Sequence, residues 1–231
     1  MNPVIDRVLE LLEKIKQKLD EIVRLINAAL RTIPVYLSWI ADRVKDAWDA
    51  TLQKIQEMWN WLWDKLTYAG APWVLNGAAD GWKQMGGKVA RINDTIVDAN
   101  LSVDDRWTGR AADQYHQSVE PQRRANTSVM SDFAENIGNA MSGLAVAITA
   151  FWGAIAVAII TLLGALAGAA VATGTIIGLP AAPVLVGLGI AAFLVAGGAG
   201  ALILFTSAGQ ARSTMSSASA GITSWPSIAT A

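Results

Sequence analysis

Residues 136–211 read NIGNAMSGLAVAITAFWGAIAVAIITLLGALAGAAVATGTIIGLPAAPVLVGLGIAAFLVAGGAGALILFTSAGQA and contain no Asp, Glu, Lys or Arg. The rest of the 231-residue chain holds all 18 Lys and Arg and all 19 Asp and Glu residues. A helix that is apolar all round must be buried, either in a large protein core or in lipid. Stretches 146–168 and 184–205 each provide the roughly 20 apolar residues of a spanning helix, and a turn with Gly and Pro separates them. We therefore predict an apolar helical hairpin that enters a membrane.

Overall charge and cysteine content narrow the functions to be considered. The formal net charge is −1, so no strong field attracts nucleic acid, and we expect no nucleic-acid partner. With no cysteine, the chain forms no disulfide and offers no thiolate as a metal ligand or nucleophile. Charged residues from Asp6 to Lys18 interrupt any apolar run near the N-terminus, so we expect no secretory signal peptide there.

Apolar residues at helical spacing predict two amphipathic helices over 2–31 and 34–69. The predicted apolar stripes are Val4, Val8, Leu11, Ile15, Ile22, Ile26 and Ala29, widened by Leu12 and Leu19, in the first helix and Trp39, Ile40, Val44, Trp48, Leu52, Ile55, Trp59, Leu62 and Leu66 in the second. The second helix carries five of the ten tryptophans. These rings either pack the core between the two helices or form an interfacial face, because Trp favours the headgroup boundary of a membrane. Since Trp59, Trp61 and Trp63 cannot share one helical face, we expect at least one of them to be exposed or to contact the membrane interface or a partner.

Two further helices are predicted before the apolar window. The third covers roughly 77–101 and contains several glycines, which lower helix propensity and permit close approach of a neighbouring backbone. The fourth begins near Arg110 and runs towards the apolar window. It carries a regular seam of residues at spacings of three and four, polar at Gln122 and Asn126. The seam consists of Ala112, Tyr115, Val119, Gln122, Asn126, Val129, Phe133 and Ile137.

Between these helices the sequence DRWTGRAADQY occupies residues 105–115. It resembles the WXG superfamily of small helical hairpins associated with type VII secretion in Gram-positive bacteria. The resemblance covers residues 75–140. It implies a tight turn at Gly109 between two antiparallel helices, with the ring of Trp107 covering the end of their core and Tyr115 one turn further along the same face.

The same resemblance bears on export and partners. It implies a protein linked to type VII secretion, either an effector or a pore-forming substrate, with a WXG-type partner protein or a secretion chaperone. Members or their partners often carry the export signal Tyr-x-x-x-Asp/Glu. Here none of Tyr36, Tyr68 and Tyr115 has an acidic residue four positions on. Export would then depend on a partner that supplies the signal.

Small residues recur four apart within the apolar window. They are Gly164 and Gly168 in the first span, and Ala192, Ala196 and Gly200 in the second. In lipid, such small-x-x-x-small faces let helices pack backbone to backbone. We therefore interpret these five residues as a helix-packing surface in the membrane, through which copies of the chain associate into a homo-oligomer. The same pattern also suits a tightly packed soluble bundle.

The residues that usually carry catalysis are sparse. His116 is the only histidine, and zinc sites need several His or Cys ligands together, so we interpret it as a solvated side chain. Asp104 and Asp105 are interpreted as acids at a helix-terminal turn rather than as a catalytic pair. We predict no catalytic, cofactor-binding or metal-binding residues and a protein that is not an enzyme.

The sequence as a whole predicts an all-α protein in four consecutive segments. These are a Trp-rich helical pair at 1–69, a WXG-like hairpin at 72–139, an apolar membrane-inserting hairpin at 140–206 and a Ser/Ala-rich tail at 207–231. Two functions stay open: an exported, membrane-associated protein that self-assembles, and a resident membrane scaffold that binds other proteins. We expect a membrane location, with secretion by a non-Sec route under the first hypothesis. A third reading places the apolar hairpin in the core of a soluble oligomer.

Overall fold

The structure is a computed structural model, and it confirms the all-α class. Among the residues that it describes there are helices, turns and no strands. The described residues are 3–67, 70–97, 100, 107–175, 178–221 and 225–226. The predicted turn at Asp104 and Asp105 lies outside them.

Six α-helices account for most of the described chain. Their bounds are α1 Pro3–Thr32, α2 Ser38–Thr67, α3 Pro72–Ala90, α4 Arg110–Ser128, α5 Glu135–Ala172 and α6 Ala181–Gly221. Short 3₁₀ turns at Val35–Leu37 and Arg91–Asp94 precede α2 and follow α3. A π-helical turn at Val129–Ala134 joins α4 to α5 without a break in the helical path.

The boundaries of the third helix differ from the prediction. The helix begins at Pro72 rather than near Gly77, because Pro has no backbone N–H to leave unpaired at the first helical position. It follows Gly70, whose positive φ of 74° turns the chain. The helix ends at Ala90 and tightens into the 3₁₀ turn, well short of the predicted end at Leu101.

Contacts divide the chain into two compact units that are discontinuous in sequence. Unit 1 contains Met1–Gly70 and Ile148–Leu204, and unit 2 contains Ala71–Ala147 and Phe205–Ala231. The predicted segments were divided where the composition of the chain changes. The two units group residues that contact one another, and unit 1 joins distant parts of the sequence because the apolar hairpin covers the apolar faces of α1 and α2.

Unit 1 buries one stripe from each amphipathic helix. In α1 the stripe agrees with the predicted spacing, whereas in α2 two predicted members, Trp39 and Leu52, are exposed, and Thr51 and Met58 are buried instead. The buried positions in α2 alternate in steps of four and three, which holds them on one face of a 3.6-residue helix. The two stripes consist of Val8, Leu11, Leu12, Ile15, Ile22 and Ile26 in α1 and of Val44, Trp48, Thr51, Ile55, Met58 and Leu62 in α2.

Unit 2 depends on close approach between α3 and the helix that follows α4. A Cβ atom at Gly86 would lie 2.5 Å from the Cβ of Ala134 and 3.2 Å from the Cα of Met130 in the π turn. A Cβ at Gly138 would lie 3.1 Å from the carbonyl oxygen of Ala79. The rings of Trp82 and Phe133 meet edge to face, with centroids 5.4 Å apart. The predicted role of glycine in close helix packing is therefore confirmed at Gly86.

Substitution of two neighbouring glycines in α3 should have opposite effects on stability. Gly86→Ala should destabilise unit 2 by about 1–3 kcal/mol, because the added methyl group overlaps backbone and Cβ atoms of the π turn. Gly87→Ala meets open space and should stabilise the helix by about 0.5–1 kcal/mol through its higher helix propensity. Hydrogen exchange of the α3 amides measures both changes. Equal exchange in the two variants would contradict the packing described here.

Candidate membrane-facing surface

The apolar hairpin formed by α5 and α6 has an inner face that is buried within unit 1. Its buried residues repeat at helical spacing, as expected for a helix with one covered side. Trp152 and Phe193 are the largest of these side chains, each 1% exposed. The inner face comprises Ile148, Phe151, Trp152, Ile155, Ala158, Ile159, Leu162, Leu166 and Ala169 in α5 and Ala182, Val186, Ile190 and Phe193 in α6.

The N-terminal pair, α1 and α2, covers this inner face. Side chains of all four helices meet at one level of unit 1, and together they are Ile15, Leu19, Ile55, Met58, Leu162, Leu166, Val186 and Ile190. Every one of them is aliphatic or a thioether, so the contact is apolar and has little directional character. The pair and the hairpin thus form one helical bundle.

Two contacts of α2, and a third made by Gly70 beyond its end, fix the position of this segment along the hairpin. The hydroxyl of Thr51 lies 3.2 Å from the carbonyl oxygen of Pro183 and shares its hydrogen with the Ala47 carbonyl, 2.8 Å away. The ring of Trp61 meets the ring of Phe193 edge to face at 5.8 Å. Gly70 lies against Ile148, whose Cδ1 would be 3.2 Å from a Cβ at that glycine. These contacts run from the turn of the hairpin to its opposite end.

The other side of the hairpin is an exposed apolar surface, which we call the outer apolar face. Each of its large side chains is more than half exposed, and no charged residue interrupts it. Two helical stretches, Arg110–Ala172 and Ala181–Gly221, are long and apolar enough to cross a membrane, and only 33% and 28% of their most apolar windows are buried. The outer apolar face consists of Val157, Ile160, Val171, Val184, Leu188, Val195, Leu202 and Ile203.

The predicted helix-packing residues mostly lie on the exposed side. Gly164, Gly168, Ala192 and Ala196 are all exposed, and only Gly200 packs inside unit 1, against Phe151. Within the chain the close approaches occur at other glycines. A Cβ at Gly189 would lie 2.7 Å from the Cβ of Ala165, and one at Gly197 would lie 2.6 Å from the Trp61 ring. The predicted small residues and the glycines at 189 and 197 both recur at helical spacing. The sequence alone therefore did not show which of the two faces packs against another helix of the same chain.

The three clustered tryptophans have different surroundings. Trp61 is half-buried and packs on Phe193 and Gly197 of the same chain, so its contact is intramolecular. Trp63 is 59% exposed, in agreement with the expectation that one ring would be. Trp59 and Trp63 line a cleft of α1 and α2 together with Leu9, Leu12, Glu13 and Lys16.

The outward side of α1 is charged. Glu10 is exposed and is flanked by Arg7 and Lys14 one turn away on either side. Hydrogen bonds, first from Lys14 and then from Arg7, hold the pKa of the Glu10 carboxyl below its usual value. The N-terminal pair therefore presents a hydrated, ionised surface on the side away from the hairpin.

In the WXG-like turn, the structure places Gly109 as expected and Trp107 differently. Gly109 has φ 99° and precedes the first residue of α4, a conformation that favours glycine. The ring of Trp107 lies 5.7 Å from that of Tyr115, but it is 45% exposed rather than buried. Among the described residues the ring partner of Trp107 is Tyr115 of α4, and that contact leaves the Trp107 ring partly exposed.

The seam of α4 contains a buried amide network that the sequence indicated only in part. Asn126 is 1% exposed, donates to the side-chain oxygen of Asn93 at 2.9 Å, and accepts from the Gln122 amide at 2.9 Å. Asn93 in turn donates to the Arg123 carbonyl at 2.9 Å and to the Thr127 hydroxyl at 3.1 Å. Gln122 and Asn126 are the polar positions of the predicted seam. Their partner Asn93 was not indicated, because the sequence predicts a continuous helix where the structure has the 3₁₀ turn.

Loss of Asn126 should weaken unit 2 specifically. Asn126→Ala removes the partner of both Asn93 and Gln122 inside the contact of α4 with the 3₁₀ turn, and we expect a loss of about 1–3 kcal/mol. Asn139→Ala, an exposed substitution in α5, should change stability by less than about 0.5 kcal/mol. Hydrogen exchange of the α4 amides reports the difference. A similar exchange rate in both variants would show that the network adds nothing to stability.

Among the described residues, no three His, Cys, Asp or Glu side chains are grouped so as to hold a metal ion. His116 is half-buried and has an interaction, rather than being a solvated side chain as predicted. No family model, curated protein or solved structure matches this chain.

Proposed function

We propose that this protein is a non-enzymatic membrane protein whose apolar hairpin inserts into the lipid bilayer. The observation that carries the proposal is the outer apolar face, which is exposed along both helices and contains no charge. At 1.5 Å per residue, the span 146–168 is about 34 Å long. The hydrocarbon core of a bilayer is about 30 Å thick.

The large exposed fraction of the hairpin favours a membrane protein over a soluble monomer. A core helix of a soluble protein is mostly buried, whereas about a third of each apolar window is buried here. A continuous apolar surface of this kind marks a site of association with lipid or protein. Lipid is favoured because, apart from Thr149 and Thr161, the exposed residues of the spans 146–168 and 184–205 are apolar, whereas a wet protein interface retains many polar ones. The Thr161 hydroxyl donates to the Val157 carbonyl of its own helix.

Self-assembly follows from the small residues on that side. Gly164, Gly168, Ala192 and Ala196 are exposed in the single chain, so they are free to meet small faces of other copies. In lipid, where apolar burial does not drive association, close backbone packing does. Together with the resemblance of residues 75–140 to the WXG superfamily, this supports an exported effector or pore-forming substrate that oligomerises in a membrane.

The alternative is a resident membrane scaffold that binds other proteins through its hydrated helices. One observation favours it: no tyrosine is followed four residues later by Asp or Glu, so the chain shows no export signal of the WXG type. The hydrated part of unit 2, with its mixed-charge depression lined by Glu120, Arg123, Arg124 and Asp132, would then contact the partners.

Membrane binding can be tested with a single charge on the outer apolar face. Val195→Lys should reduce recovery of the protein with floated phospholipid vesicles at least tenfold, because Val195 is 74% exposed near the middle of the second span. Gln53→Lys, an exposed change on α2, is the matched control and should bind as the unchanged chain does. If the unchanged protein stays in solution without detergent and ignores vesicles, the proposal is wrong.

The side of the membrane on which the turn and the ends of the hairpin lie distinguishes the two proposed functions. Arg123 and Arg124 precede the first span and Arg212 follows the second, so a chain inserted from the cytoplasm should keep both ends inside by the positive-inside rule. Single cysteines at Thr175 and at Ser213, both exposed, then report the orientation to an impermeant thiol reagent. Labelling at Thr175 alone supports the resident scaffold. Labelling at Ser213 alone supports insertion from outside after export.

A further inference from the structure

The N-terminal pair covers the hairpin along most of the depth that would lie in a bilayer. Thr51 contacts Pro183 at the end of the hairpin that carries the turn. Gly70 contacts Ile148 at the opposite end. From Thr51 to Thr67, the last residue of α2, the helix rises about 24 Å. This length is most of the hydrocarbon thickness of about 30 Å, so α2 lies beside the spans rather than beyond them.

At this same depth the pair carries many charges. On α2 they include Lys54, Glu57, Asp64 and Lys65, and on α1 they include Glu13, Lys14 and Lys16. Charged side chains within the hydrocarbon region are costly and are found almost only in the bundle interior or beside water. The charged side chains of α1 and α2 lie on the side away from the hairpin. If the bundle entered the bilayer intact, that side would face lipid. The docked pair and the inserted hairpin are therefore incompatible in a single chain surrounded by lipid.

We propose that α1 and α2 form a removable cover that leaves the inner face of the hairpin when the hairpin inserts. This inference rests on the proposed membrane function. Apart from the indole N–H of Trp152, the large side chains of the inner face are hydrocarbon, so acyl chains can take the place of the aliphatic stripes of the cover. The contact with Pro183 is one long hydrogen bond shared with the helix's own Ala47 carbonyl, so its loss leaves the Thr51 hydroxyl bonded.

The released pair fits the surface of a membrane. Each helix has an apolar stripe on one side and charges on the other, which is the pattern of helices that lie in the interface plane. The tryptophans of α2 suit the headgroup level. The stripes that cover the hairpin in the bundle would then face the acyl chains, and the charged sides would stay in water.

A reversible covalent link between cover and hairpin tests the proposal, since the chain has no cysteine of its own. Thr51→Cys and Pro183→Cys are joined by a short bis-methanethiosulfonate reagent and offered to phospholipid vesicles. Insertion is measured as the hairpin fragment that vesicles protect from proteinase K. The linked protein should give at least tenfold less fragment than the same protein after reduction with dithiothreitol.

The matched control places the link inside the hairpin. Ala154→Cys and Gly200→Cys join α5 to α6, where the two Cβ atoms would lie 3.9 Å apart, and leave the cover free. This protein should insert equally before and after reduction. If the cover-linked protein also inserts equally, the pair enters with the hairpin, for instance as the lining of a water-filled lumen, and the inference is overturned. If no reduced protein inserts, the proposed membrane function itself fails, and the inference fails with it.

A second pair of variants loosens the cover instead of locking it. Gly197→Ala places a methyl group 2.6 Å from the Trp61 ring, which must move away from the hairpin. We expect insertion into vesicles to be several-fold faster. Gly198→Ala, where a Cβ meets nothing within 4 Å, should insert at the rate of the unchanged chain. Equal rates for the two variants would argue against release of the cover as a step in insertion.

Discussion

Hydrophobic burial between the N-terminal pair and the inner face of the apolar hairpin is the interaction on which unit 1 depends. Burying one large apolar side chain stabilises a protein by about 1.5–3 kcal/mol, and the four helices bury many of them. By comparison, a single neutral hydrogen bond such as that of Thr51 contributes about 1 kcal/mol. The packing is therefore dominated by a force that depends on area and has little dependence on direction.

Unit 2 is held together in a different way. Its helices approach closely where Gly86 and Gly138 leave room, and the amides of Asn93 and Asn126 fix their register through directed hydrogen bonds. A buried amide that loses its partner has no substitute in lipid or in an apolar core. Unit 2 thus has one well-defined arrangement, whereas the apolar contact in unit 1 can be exchanged for a contact with acyl chains.

This contrast gives the two parts different roles in the function we propose. Under this proposal the hairpin of unit 1 would meet lipid first on its outer apolar face, and its inner face would become available when the cover leaves. The exposed small residues allow copies to pack once they are in the membrane. Under the same proposal unit 2 would keep its polar network in water. Its Gly109 has a positive φ, and its Trp107 is partly exposed.

The sequence by itself determined the helical class, most of the helix positions and the two candidate spans. These features depend on local composition and on the period of apolar residues, which can be read without knowing what lies nearby. Only the tertiary structure decided which side of the hairpin is covered, because Gly164 and Gly189 occupy equally good helical patterns and differ only in what faces them. The same holds for the burial of Met58 in place of Leu52, for the partnership of Asn93 with Asn126, and for the exposure of Trp107. Each of these depends on where a distant segment lies, and distances between segments are set by packing in three dimensions.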